Sequence, residues 1–139
     1  MTTEDVVAIQ QLIASYGVLV DCGDGEGVAA LFAPDGVYDV TPAPLVGRAA
    51  IAAMVTGAAH QRLIAAGCAH VMGLPSIDVQ GDSAVARNHS VGYRHDDGFR
   101  VWRVSANRWE LRRTSSGWQV VRRINRLLDG SAEARDLLR

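Results

Sequence analysis

The chain has 139 residues, 48% of them hydrophobic, and a formal net charge of −1; that length buries roughly two-thirds of its unfolded surface in one core and is too short for two ordinary domains. Its two cysteines, Cys22 and Cys68, form no dense spacing pattern, the opening MTTEDVVAIQQLI has no basic segment before an apolar run, and the longest weakly polar stretch, Leu45 to Val55, contains Arg48. A disulfide scaffold, a secretory leader and a membrane span are therefore not expected, and cytoplasm is the expected compartment.

Val6, Val7, Ile9, Leu12, Ile13, Tyr16, Leu19 and Val20 form a helical stripe, with Thr3 as candidate N-cap and Glu4 and Asp5 placed well against the helix dipole. CGDGEG ends it, and a short second helix through Val28, Ala29, Leu31 and Phe32 stops near Pro34. Val37 to Val40 reads as a short strand and Thr41-Pro42-Ala43-Pro44 as a rigid extended loop. Gly47 opens an alanine-rich third helix that Thr56-Gly57 weakens in the middle, leaving one kinked helix or two consecutive ones. From Cys68 the pattern becomes strands: Cys68 to Val79 punctuated by Pro75, then Val85 to Tyr93, Phe99 to Arg113 and Trp118 to Leu127, joined by Gly81-Asp82, His95-Asp96-Asp97-Gly98 and Ser115-Ser116-Gly117. Ser131 to Arg139 reads as a short terminal helix or a frayed tail. Helices followed by an antiparallel meander define an α+β domain over residues 1–139, its sheet curled around the first helices.

Several chemistries are set aside. CGDGEG has neither dinucleotide-fingerprint spacing nor a preceding strand, GxSxG is absent, and the chain contains no lysine for a Walker motif or a Schiff base. His60, His70, His89 and His95 fall into no zinc spacing, so no metal and no cofactor are expected. Residues 1–47 carry seven acids and no base, and residues 87–126 carry ten arginines against three acids. Such a field belongs to a solvated or paired sheet face, or draws an anionic ligand or a second subunit. No aromatic-basic module accompanies it, so nucleic acid is not an expected partner.

The residues that can carry chemistry are few. Asp21 follows Val18-Leu19-Val20 at the end of the first helix; it is either a turn residue or a partly desolvated carboxylate that needs a partner. His70 shares strand parity with Met72 and Leu74. On an inner face it is either a satisfied core histidine or a base whose tautomer a carboxylate fixes. Tyr16, five residues before Asp21, is a core aromatic or a hydroxyl donor to a reacting oxygen. His89 shares parity with Val85, Arg87, Val91 and Tyr93, and is a second acid/base or a solvated sheet residue. On the last strand Arg123 shares parity with Val121 and Asn125, and Arg122 with Trp118 and Val120; a regular strand turns only one arginine inward. Leu19, Val40, Met54, Met72 and Leu74 supply the expected apolar wall for a small apolar molecule.

The segments VLVDCGD, GVAALFAPDGVYDV, GRAAI, CAHVMGLPSIDVQGDSAVARNHS and SSGWQVVRRINR resemble the SnoaL-like branch of the NTF2-like superfamily over about residues 4–127. That group of cone-shaped barrels, a curved mixed or antiparallel sheet packed against three N-terminal helices, includes scytalone dehydratase, bile acid 7α-dehydratases, hexachlorocyclohexane dehydrochlorinase, SnoaL-type polyketide cyclases and ketosteroid isomerase. The resemblance implies that Asp21 pairs with His70 as the proton-abstracting base, that Tyr16 matches a tyrosine of the bile acid enzymes, and that Arg123 matches the last-strand arginine of the dehydrochlorinase. His89 is aligned less firmly with a further pocket residue. Val20 and Val40 stand where scytalone dehydratase has tyrosines, and Val40 also stands where ketosteroid isomerase has its catalytic aspartate.

The implied activity is a metal-free acid/base lyase of the dehydratase kind. A non-catalytic binding or structural member, and a cyclase or isomerase, are the alternatives. Trp102, Val104, Trp109 and Leu111 occupy both parities of the long strand, so a homodimer through the sheet is expected.

Overall fold

A computed structural model describes residues 1–139. Helix α1 (Thr3–Asp21) is capped one residue earlier than the sequence suggests: Thr2, not Thr3, is the N-cap, accepting from the Asp5 N–H while Asp5 accepts from the Thr2 N–H. The difference follows from Asp5, which completes a reciprocal capping box only from position N3. Ile9, Leu12, Ile13, Tyr16, Gly17 and Val20 make its buried face. The Asp5 carboxylate also accepts from Arg113 Nη1 at 2.7 Å and Trp118 Nε1 at 3.2 Å, which ties the start of α1 to the sheet. The Arg113 guanidinium holds that carboxyl well below the usual carboxylate range.

Helix α2 (Gly25–Ala30), capped by Asp24, ends before Phe32 rather than running to Pro34. Strand β1 (Phe32–Asp39) begins there and is longer than Val37 to Val40, because it pairs in parallel with β7 (Gly117–Leu127) from Phe32↔Val120 to Asp39↔Ile124. Its register is irregular between Phe32 and Val37, where Pro34 has no N–H to donate. Strand β2 (Leu45–Val46) closes this edge.

The alanine-rich segment is two helices, α3 (Arg48–Thr56) and α4 (Ala58–Ala66), broken by Gly57 in extended conformation. The chain therefore forms four helices before β3 rather than three, the third helical segment being split in two. Strands β3 (Cys68–Met72) and β4 (Ser76–Gln80), separated around Pro75, pair side by side along β5 (Ser83–His95), which pairs with β6 (Phe99–Thr114) and so to β7. The sheet order is β2-β1-β7-β6-β5-β3, with β4 also on β5. Helix α5 (Ala132–Asp136) packs on the outer face, where Ala134 and Ala106 are fully buried.

Charge asymmetry along the sequence is largely internal pairing across the fold. Asp5 meets Arg113, and Asp39 meets Arg122 and Arg126, with Arg126 also bound to Glu133.

The inner face of the sheet changes character along its length. One end is apolar, with Ala84, Ala86, Trp109, Leu111, Trp118 and Val120 packed on α1 and α2. The other end presents Ser90, Ser105, Asn107, Arg123 and Asn125, all buried. Strict alternation forbids Val120 and Arg123 from sharing a face. A bulge resolves the conflict: Leu111 pairs with Val120 and Glu110 with Arg122, so Val121 has no partner and the parity of β7 switches.

Candidate active site

The polar end of the sheet opens into a cavity of about 440 Å³ beside the C-terminal end of α1. Asp21 leaves α1 there, and His70 stands in the middle of β3, held close because Gly17 lets the helix backbone approach the strand. A Cβ at Gly17 would lie 2.3 Å from the His70 carbonyl oxygen.

The Asp21 carboxylate accepts the His70 backbone N–H at 2.8 Å and meets His70 Nδ1 at 2.7 Å. A carboxylate in this setting accepts, so Nδ1 carries the proton and Nε2 keeps its lone pair. Burial lowers the His70 pKa below its ordinary value, and the hydrogen bond and charge of Asp21 only partly offset this. The imidazole is therefore a neutral base at pH 7.

Tyr16 lines the cavity from deeper on α1. Burial raises its pKa, and its neighbour Tyr38 adds to the effect, so its hydroxyl remains a donor at all working pH values. The guanidinium of Arg123 lies under the rings of Tyr16, Trp109 and Tyr38, at 4.3, 4.4 and 4.6 Å. Its Nε and Nη2 donate to Asn107 Oδ1 at 3.0 and 2.8 Å, while Nη1 has no hydrogen-bond partner.

Val40, Met54 and Met72 line the cavity, as expected. Four other expected residues do not, and of these Asp21 reaches the cavity only through His70, whose N–H and Nδ1 it holds. His89 is exposed on the outer face of β5, because the inward parity of that strand belongs to Asn88 and Ser90. Leu19 is rotated on α1 away from the Tyr16–Val20 line and packs at the side of the core toward Gly27. Leu74 is 82% exposed, since strand alternation ends at Met72 and Gly73-Leu74-Pro75 lies between β3 and β4.

Residues outside the sequence expectations also reach the cavity. His60, on α4, approaches the Val20 carbonyl through Nε2 at 2.8 Å, and its ring centroid is 5.7 Å from that of His70. A carbonyl only accepts, so Nε2 bears a proton and donates it to Val20. Nothing in the local sequence marks His60, since a helix-borne histidine is assigned by tertiary packing alone. Asn125 was signalled by its shared parity with Arg123. Trp102 and Arg103 both face the cavity because Trp102 is an unpaired bulge residue, with Gly92 opposite Arg103 and Tyr93 opposite Val101.

Asp21, Cys68 and His70 place three potential metal ligands within 4.8 Å of one another. The set suits a metal poorly. Asp21 Oδ1 already meets His70 Nδ1, both carboxylate oxygens accept the His70 backbone N–H, and burial together with the Asp21 charge raises the Cys68 pKa and keeps it a thiol.

Comparison with known proteins agrees with this architecture. No curated protein matches the chain. An NTF2-like protein with a cystatin-like fold from Novosphingobium aromaticivorans is 53% identical, covering 98% of this chain and 90% of its own, with a TM-score of 0.96. A putative aromatic ring hydroxylase from the same organism is 28% identical over 92% of each chain, TM-score 0.75. A Catenulispora acidiphila protein in complex with S-DNPA is 27% identical, covering 86% of this chain and 90% of its own, TM-score 0.75. The family model of the SnoaL-like domain matches residues 1–124, and the chain belongs to that family within the NTF2-like superfamily.

Proposed function

We propose that the protein is a cofactor-independent acid/base lyase of the dehydratase type, acting on a small, largely apolar molecule. The observation that carries the reading is the Asp21–His70 pair, which leaves a neutral imidazole Nε2 as the open nitrogen beside a cavity large enough for a bicyclic substrate. His70 Nε2 takes the proton from a carbon next to a carbonyl. The C–O bond at the neighbouring carbon breaks, and the departing hydroxide takes a proton to leave as water. Tyr16 donates toward a reacting oxygen, Arg123 stabilises developing negative charge, and His60 is placed to relay a proton with His70.

A direct test uses 3-hydroxy-1-tetralone, whose loss of water and tautomerisation give fluorescent 1-naphthol. We expect turnover that is flat above about pH 7 and falls in acid with a midpoint below about 6.5, the ordinary histidine value. The sign follows from the base: protonation removes the lone pair, and a lowered pKa moves that loss to lower pH. A midpoint above pH 7, or no turnover by the wild type of this probe and of related β-hydroxy ketones, counts against the reading.

We propose also that two copies pair through the outer sheet face. Val71 is 50%, Val101 57% and Val104 41% exposed, an apolar surface on β3 and β6, the two strands that flank β5, which α5 leaves uncovered. Sedimentation equilibrium should give a dimer at micromolar concentration, and Val104→Glu should shift it to monomer. A wild-type monomer at high micromolar concentration removes the interface.

A further inference from the structure

The cavity floor holds an excess of hydrogen-bond donors and of positive charge. Asn107 Oδ1 receives three donors, Arg123 Nε at 3.0 Å, Arg123 Nη2 at 2.8 Å and Asn125 Nδ2 at 2.8 Å. An amide oxygen has two lone pairs, so it is oversubscribed. Arg123 is only 2% exposed, and its Nη1 still finds no acceptor. Arg103 adds a second guanidinium to the lining, with Nη2 on Asn125 Oδ1 at 3.1 Å.

Neither arginine has a carboxylate partner, in contrast with the outward Arg122 and Arg126, both bound to Asp39. The acid nearest the reacting end, Asp21, is committed to His70. With His70 neutral, Arg103, Arg123 and Asp21 together contribute a formal charge of +1 to the site. Burying a guanidinium without a counter-charge is costly, and aromatic faces compensate only in part.

From this donor and charge surplus we infer that the cavity's ligand is a monoanion: a one- or two-ring apolar body bearing a carboxylate, seated against Arg103, Asn125 and Arg123. A carboxylate is acceptor-only, carries about four lone-pair sites and one negative charge, and matches what the floor lacks. Val40, Met54 and Trp102 supply the apolar wall for the body. The assignment deepens the lyase proposal and rests on it for the use made of the bound acid, since the carboxylate would fix the reacting carbon against His70.

The experiment compares 2-naphthoate with 2-naphthamide, two probes of one shape that differ in charge and acceptor count, by isothermal titration calorimetry at pH 7.5. We expect naphthoate to bind at least tenfold more tightly to the wild type. The preference should collapse toward unity in Arg103→Gln and in Arg123→Gln, and survive in His70→Ala. If Arg123→Gln does not fold, the wild-type comparison and Arg103→Gln decide. Equal binding of the two probes, no naphthoate binding at millimolar concentration, or an unchanged preference in Arg103→Gln overturns the assignment. Failure to dehydrate both 3-hydroxy-1-tetralone and its carboxylate-bearing analogues, alongside a retained naphthoate preference, removes the lyase reading alone, and turnover of the tetralone with equal binding of the two probes removes the anion site alone.

Discussion

His70→Ala is expected to lower the rate of tetralone elimination by roughly 10²–10⁴-fold, the range general-base catalysis supplies, while unfolding at nearly the wild-type temperature. His70 is partly exposed to the cavity, so removing the ring leaves space that water can enter. Asp21→Asn should fall in the same range for a different reason. An amide presented to Nδ1 with its NH₂ group turns the tautomer over, moving the ring proton to Nε2 and hiding the lone pair. Because the two residues act as one unit, the double variant should be little worse than either single one. Single losses that multiply in the double variant, or turnover unchanged by either, would show that the pair is a polar strut rather than a base and its holder.

Gly17→Ala should destabilise the protein although alanine favours a helix over glycine by about 1 kcal/mol. The added methyl would sit 2.3 Å from the His70 carbonyl oxygen and 3.5 Å from Met72 Cγ, and the first of these is a backbone atom that cannot swing aside. Helix α1 must then move off β3. Overpacking of this kind costs about 1–3 kcal/mol or more, which at this chain length lowers the thermal midpoint by roughly 3–10 °C. Displacement also stretches the bond between Asp21 and the His70 N–H, so activity should fall by more than the folded fraction does. Gln11→Ala, on the exposed side of the same helix, is the control and should be near neutral. A Gly17→Ala protein as stable as the wild type would mean that helix and strand are not pressed together.

The fold was readable where hydrophobic period and turn residues agree. The α1 stripe and the β5–β6–β7 meander stand as expected, because each rests on a long pattern bounded by glycine or proline. Misjudged elements depend on partners distant in sequence: Phe32 lies in a strand because β7 accepts it in parallel, and nothing between residues 28 and 34 says so. Within the candidate site, Asp21 and His70 meet across 49 positions of sequence, a pairing suggested by resemblance rather than by local pattern. His89 illustrates the limit of parity. Alternation identifies which residues of β5 face together, not which side is the inside, and the inward set proved to be Ala84, Ala86, Asn88 and Ser90. As cavity residues, His60 and Trp102 were invisible for another reason, since one needs a helix laid over the cavity and the other is itself an extra residue in β6.

Val121 separates two regimes of one sheet. Because it is supernumerary, it reverses the parity of β7 between the tryptophan-rich end, where Trp118 and Val120 face inward, and the amide-and-arginine end, where Arg123 and Asn125 do. Were Val121 to pair regularly instead of bulging, alternation from Val120 would carry Arg122 and Ile124 inward in place of Arg123 and Asn125. One face of one curved sheet thus holds the domain folded at one end and presents amide and guanidinium groups to the cavity at the other.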